Sequence, residues 1–165
     1  MKSYRFGPRA LAAALSILAA AIAPPAALAQ PITHAQPLLK MEPLDIQTSK
    51  GVFHFKAEIA DTSRTQEVGL MYRPALPADH GMLFEFDKPQ SVSFWMEHCP
   101  VPLDMLFIEA DGTILSIARN TRPESTDAIP SGGTITGVLE LRGGRAAEIG
   151  ANPGDQVKQR FFHHG

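Results

Sequence analysis

The chain of 165 residues carries 15 Lys and Arg against 17 Asp and Glu, a net charge of −2 with His neutral, and a single Cys. Without the first 29 residues, which read as a leader, 136 remain, with 12 basic and 17 acidic side chains and a net charge of −5. That length suits one compact domain with one core, and the acidic balance argues against nucleic acid as a partner and leaves no polybasic footprint for a membrane surface. One Cys excludes an internal disulfide, so the core stands without covalent staples.

Lys2, Arg5 and Arg9 precede an apolar run of 14 residues, 10–23, then Pro24-Pro25 and Ala27-Leu28-Ala29. This is the layout of a secretory signal peptide over residues 1–29, with cleavage expected after Ala29. The run is shorter than the roughly 20 apolar residues that span a bilayer, and the prolines end its helix, which weighs against an uncleaved membrane anchor. Gln30 rather than Cys follows the site, against attachment of a lipid there. The expectation is a periplasmic or secreted protein with no transmembrane segment after cleavage.

Residues 30–43 hold Pro31, Pro37 and Pro43 with little periodicity and read as an irregular lead-in; a single β-rich domain is expected over 44–162. A strand at 44–48 turns through Ser49-Lys50-Gly51 into 52–59, where Phe53, Phe55, Ala57 and Ile59 alternate with His54, Lys56 and Glu58, the period of a half-buried strand. A Ser/Thr cap signal opens a helical stretch at 62–71, ended by Arg73-Pro74. Strands are expected at 82–87 and 91–96, the second with Val92, Phe94 and Met96 opposite Ser91, Ser93 and Trp95. Asp111-Gly112 between 103–109 and 113–118 predicts a hairpin with a type I′ turn. A polar loop at 120–133, a strand at 134–141, a short helix at 143–150 and a closing strand at 156–161 complete the chain.

Many short strands with regular turns argue for a sandwich or barrel. The segment GMLFEFDKPQSVSFWMEHCPVPLDMLFI, read with QEVGLMYRPALP and PSGGTITGVLEL, resembles an uncharacterised bacterial and archaeal family, domain of unknown function 192, over residues 44–158. The resemblance implies a mainly β, jelly-roll-like sandwich with small helical insertions, so the expected class is a jelly-roll-like β-sandwich or partly closed barrel with one or two short helices. It also places an Asp at position 104 in a Pro-Leu-Asp motif, without a role. The chain departs from the family at Glu97-His98-Cys99, where Lys-Asn-Thr or a similar trio is usual.

Asp104 lies among hydrophobes in Pro102-Leu103-Asp104-Met105-Leu106, on the parity of Leu106 and Ile108. A buried carboxylate without partners costs several kcal/mol. Either loop N–H groups or an Arg such as Arg73 satisfy it, or it forms the floor of a cleft as a general base or ligand anchor. Trp95, on a face with Ser93, reads as a stacking platform for a flat ligand or as core covered by the 62–71 helix. Met96, His98 and Cys99, with Met82 and Met105 near, are soft donors suited to copper, although a strand divides them between faces; Cys99 is otherwise a buried thiol or an intermolecular partner. Ser131-Gly132-Gly133 reads as an anion-binding nest or a plain turn. Gly69-Leu70-Met71 reads as helix packing, and His163-His164 as solvated.

No H-E-x-x-H, G-x-S-x-G, Walker loop, C-x-x-C or dinucleotide fingerprint occurs. The expectation is therefore a binding domain without enzymatic activity and without a cofactor, its partner a small molecule, glycan or envelope protein held near Trp95, Asp104 and the 120–133 loop. The alternatives are a carbohydrate hydrolase or lyase using Asp104, and a copper-binding protein using Met96, His98 and Cys99.

Overall fold

Alternation brings the first two strands together. In a computed structural model that describes residues 31–162, β1 (Met41–Thr48) buries Glu42, Leu44, Ile46 and Thr48 and pairs along its length with antiparallel β2 (Gly51–Ala60). The leader and His163-His164 lie outside the described residues. Strand β1 begins three residues earlier than expected and takes in Pro43. Opposite Pro43, Lys56 directs its N–H away from β1 to the Asp79 carbonyl (2.9 Å), so this pair exchanges no hydrogen bond and the proline's missing N–H costs nothing.

The chain continues through α1 (Ser63–Val68), β3 (His80–Gln90), β4 (Ser93–Phe94), β5 (Leu103–Ile108), β6 (Ile114–Ala118), β7 (Ile129–Pro130), β8 (Ile135–Arg142), α2 (Arg145–Ile149) and β9 (Gln156–Lys158). Seven strands form one sheet in the order β6-β5-β8-β3-β2-β1-β9, antiparallel except for β2 and β3, which α1 joins as a parallel crossover. The two edge strands meet at one end. A bridge links Thr113 to Gln156, the Ile114 N–H reaches the Asp155 carbonyl (2.9 Å), and the Val157 N–H reaches Gly112 (2.8 Å). The sheet is thus a partly closed barrel rather than two facing layers of a jelly roll. Among the described residues no helix is long and apolar enough to cross a membrane.

Curling gives the sheet two cores. Leu44, Ile46, Leu83, Leu106 and Leu139 fill the concave side, while Met82, Phe84, Met105, Phe107 and Val138 pack on the convex side. Strand β5 is consequently buried at all six positions, which explains why both of its faces are apolar apart from Asp104. Glu42, 8% exposed, receives Arg160, Lys40 (2.7 Å) and Gln159 (2.8 Å), which ties residues 159–160 to β1. The Arg160 contact, then Lys40, holds its carboxyl down at about 2.

Three local expectations need correction. The hairpin loop is three residues long: Gly112 donates its N–H to the Glu109 carbonyl (3.0 Å), and within the loop only Gly112 has positive φ (85°). That is a type I turn with a bulge rather than type I′, and Asp111 Oδ1 accepts the Thr113 N–H (2.9 Å). The strand expected at 91–96 shrinks to Ser93–Phe94, paired with Ile129–Pro130 as a separate ribbon. Loop 120–133 supplies its other partners: the Met96 N–H reaches the Ser125 carbonyl (2.8 Å), and Val92 exchanges bonds with Ser131. The closing strand stops at Lys158, where the chain turns, with the Phe162 N–H on the Gln159 carbonyl (3.1 Å).

Candidate functional site

The Thr62 hydroxyl accepts the Thr65 N–H (3.2 Å) and Thr65 answers with its hydroxyl at the Thr62 N–H (3.1 Å), a capping box that starts α1. Gln66 then anchors the helix across β2 and β3, donating to the Ala60 (3.2 Å) and Glu85 (2.6 Å) carbonyls. The helix ends at Gly69, whose φ of 49° suits glycine and where a Cβ would come within 3.1 Å of the Phe84 ring. Beyond it, Tyr72 and His98 both hold left-handed backbone, φ 60° and 58°. The Tyr72 N–H donates to the His98 carbonyl (2.7 Å) and their rings stack at 4.9 Å. This clasp fixes residues 69–72 against residues 93–99 and leaves a pocket of about 150 Å³ between them.

Phe84, Phe94, Leu70 and Met71 form apolar walls, Trp95 stands at the mouth with 49% of its surface exposed, and Cys99 and Glu140 lie inside. Phe94 is fixed by edge-on contacts with Phe84 (5.1 Å) and Phe107 (6.1 Å). Glu140 sits on β8 directly between Met82 of β3 and Met105 of β5, so its flanking side chains are thioethers that offer no donor. It is 4% exposed, and among the described residues no hydrogen bond or ion pair reaches it. Burial raises its carboxyl from the ordinary 4.5 to about 8, so the empty pocket holds mostly the neutral acid at pH 7. Burial, then Glu140 and Glu124, pushes the Cys99 thiol up to about 12. Cys99 should therefore react with iodoacetamide at pH 8 roughly 10²–10³-fold more slowly than an unstructured cysteine, because the thiolate is the nucleophile. Mass-resolved alkylation kinetics check this, and labelling at the rate of the denatured chain would contradict the burial.

Of the residues singled out in the sequence, Trp95, Ser93 and Cys99 line this pocket. Trp95 is not core beneath the helix; it faces solvent beside it. Asp104 lies elsewhere. It is fully buried on the concave side, where its Oδ1 accepts the Asn120 (2.6 Å) and Gly144 (3.1 Å) N–H groups and its Oδ2 the Ala146 N–H (2.7 Å). The sheet separates it from Glu140, and Arg73 pairs instead with Glu58 (3.0 Å). Ser131 is likewise used by the fold: its N–H donates to the Val92 carbonyl, its hydroxyl donates to the Gly133 carbonyl (2.6 Å), and its carbonyl accepts the Ser116 hydroxyl (2.7 Å). Gly132, with φ 78°, makes the turn that this clasp needs.

Met96, His98 and Cys99 take three separate surroundings. The Met96 sulfur accepts the Thr121 hydroxyl (3.0 Å), His98 stacks on Tyr72, and Cys99 enters the pocket. Among the described residues no three His, Cys, Asp or Glu converge as a metal cluster. Sequence reasoning missed Glu140, although the signal that exposed Asp104, an acid inside an apolar run, is equally present in Gly137-Val138-Leu139-Glu140-Leu141.

Solved structures share this fold, among them the following two. A protein of Sinorhizobium meliloti described as a candidate transcription regulator is 38% identical, with a TM-score of 0.72 over 75% of this chain and 97% of its own. A protein of unknown function from Novosphingobium aromaticivorans is 36% identical, with a TM-score of 0.73 over 79% of this chain and 94% of its own. No curated protein matches the chain. The model of the family described as "Uncharacterized ACR", domain of unknown function 192, matches residues 45–159, nearly all of the described domain, and the chain belongs to that family.

Proposed function

We propose that this chain is an exported binding domain that holds a small molecule in the pocket between α1 and residues 93–99. The observation that carries the reading is Glu140: a buried carboxyl that nothing in the fold satisfies, inside an open pocket with aromatic walls. Buried polar groups are ordinarily hydrogen-bonded, and one left without a protein partner in a concave apolar site is a natural contact for what the site binds. A cavity of this volume matches the space of one benzene ring, so the occupant is a small molecule or one terminal group of a larger one. Export rests on the leader, with its basic start, apolar run and small-residue site. The excess of acidic over basic side chains weighs against nucleic acid as the partner. Asp104, with its oxygens engaged by backbone donors, lends little to a hydrolase reading, and the separate surroundings of Met96, His98 and Cys99 lend little to a copper one.

Native mass spectrometry of the mature protein, purified from its own cells without chelator, tests this. The wild type is expected to carry extra mass of an organic molecule that disappears on denaturation and is absent from a Trp95→Ala variant. A wild type that is bare, or that carries only the mass of copper, overturns the reading.

A further inference from the structure

We infer that the pocket takes a small organic cation, an alkyl- or arylammonium ion, whose charge replaces the proton on Glu140. This rests on the binding reading above and names the ligand class for the same site. Every ionisable side chain lining the pocket is an acid: Glu67, Glu97, Glu140 and the Cys99 thiol. Arg64 stands outside it, joined to Glu67 (3.1 Å), and His98 turns to Tyr72 with its Nε2 3.9 Å from Glu97. Glu124 adds to the negative field at Cys99, and the flanking strands offer Glu140 only Met82 and Met105. An anionic ligand would meet these acids and no positive side chain in the lining. A neutral one could accept a hydrogen bond from the protonated carboxyl, yet it would bring no charge to stabilise the carboxylate. An ammonium ion supplies N–H donors and the positive charge that the buried carboxylate lacks, while Leu70, Met71 and Phe84 receive its hydrocarbon body. Trp95 at the mouth and Phe94 in the wall add the aromatic surface that attracts cations.

The step balances as an exchange: the ammonium ion enters with its charge, the Glu140 carboxylic acid becomes carboxylate, and its proton passes to solvent. Binding therefore releases protons wherever the empty pocket holds the neutral acid.

The probes are benzylammonium, benzyl alcohol and benzoate, together with the butyl and cyclohexyl members of each series, titrated into the mature wild-type protein at about pH 6.5, below the raised Glu140 value. Trp95 is the only Trp in the chain, so its fluorescence and indole N–H resonance report the pocket mouth directly. Calorimetry in two buffers of different ionisation enthalpy counts the protons. The ammonium ions are expected to bind about tenfold or more tightly than the matching alcohols, to release close to one proton per site, and to outbind the carboxylates by more. In Glu140→Gln both the proton release and the advantage of the ammonium ion should vanish. Alcohols binding as tightly as ammonium ions, or binding without proton release, would overturn the cation inference and leave the pocket reading intact. No response of Trp95 to any series would overturn both.

Discussion

Replacing Glu140 by Gln is expected to stabilise the protein at neutral and alkaline pH and to remove most of the pH dependence of its stability between about pH 5 and 8. Gln has the shape of the protonated acid, so the two proteins should be similar near pH 4. As pH rises past the ordinary 4.5, the unfolded chain ionises Glu140 while the folded chain keeps its proton until about 8. The folded state thus binds the extra proton, and stability is lost continuously across that window before levelling off. At about 1.4 kcal/mol per pH unit, the wild type should have lost roughly 3 kcal/mol relative to the Gln variant by pH 7, with an upper bound near 5 above pH 8. Urea denaturation at pH 4, 7 and 9 gives the three values. Parallel pH profiles for the two proteins would mean that the carboxyl is satisfied in the fold after all. A loss of this size is a large fraction of the ~5–15 kcal/mol that holds a domain together. Retention of such a group makes sense where it is needed for binding, since functional sites routinely carry a stability cost.

Asp104→Ala should be more damaging, with a loss of about 3–5 kcal/mol, because it takes the acceptor from three N–H groups at once, that of Ala146 buried and those of Asn120 and Gly144 partly so. The reason lies in α2. Its N-cap is Gly144 at φ 83°, which has no side chain to offer, so Asp104 reaches across from β5 and takes the Gly144 and Ala146 N–H groups in its place. The same carboxylate accepts the N–H of Asn120, itself at φ 47°, and so joins three segments that are distant in sequence. Asp104→Asn should fall between wild type and Ala, since one amide oxygen can serve Asn120 and Gly144 while the NH₂ group opposes the Ala146 donor. Both variants should keep whatever Trp95 response the wild type shows once folded, as the sheet lies between Asp104 and the pocket. An Asn variant of unchanged stability that no longer binds would return Asp104 to a direct role.

Much of the architecture is legible in particular residues. Phe53, Phe55, Ala57 and Ile59 alternate with His54, Lys56 and Glu58 and fold as β2; Asp111-Gly112 turns a hairpin; Arg145–Ile149 between Gly144 and Gly150 is the short helix expected at 143–150. The unread parts depend on partners far away in sequence. Nothing near Val92 announces that its N–H will find the Ser131 hydroxyl, so 91–96 reads as a longer strand than it is. Nothing near Thr113 announces Gln156, so which strands meet to close the barrel in part is invisible. The site shows the same limit more sharply. Asp104 and Glu140 each stand in an apolar strand and look alike on paper. One meets the open end of a helix and two loops, the other meets two methionines, and only the fold decides which acid is satisfied.

The outer position of β9 sets an order of events as the chain is made. Its three residues cover the middle of β1, at Asp45–Gln47, yet they follow β1 by more than a hundred positions. Until they arrive, one side of β1 presents unpaired backbone groups to any neighbouring chain, and the barrel lacks the bridge at Thr113 that shuts it. The nascent molecule is accordingly open-edged for nearly the whole of its synthesis, so a shortage of helper proteins or a nonsense codon before Gln156 should send it toward aggregates rather than toward a slightly smaller version of itself.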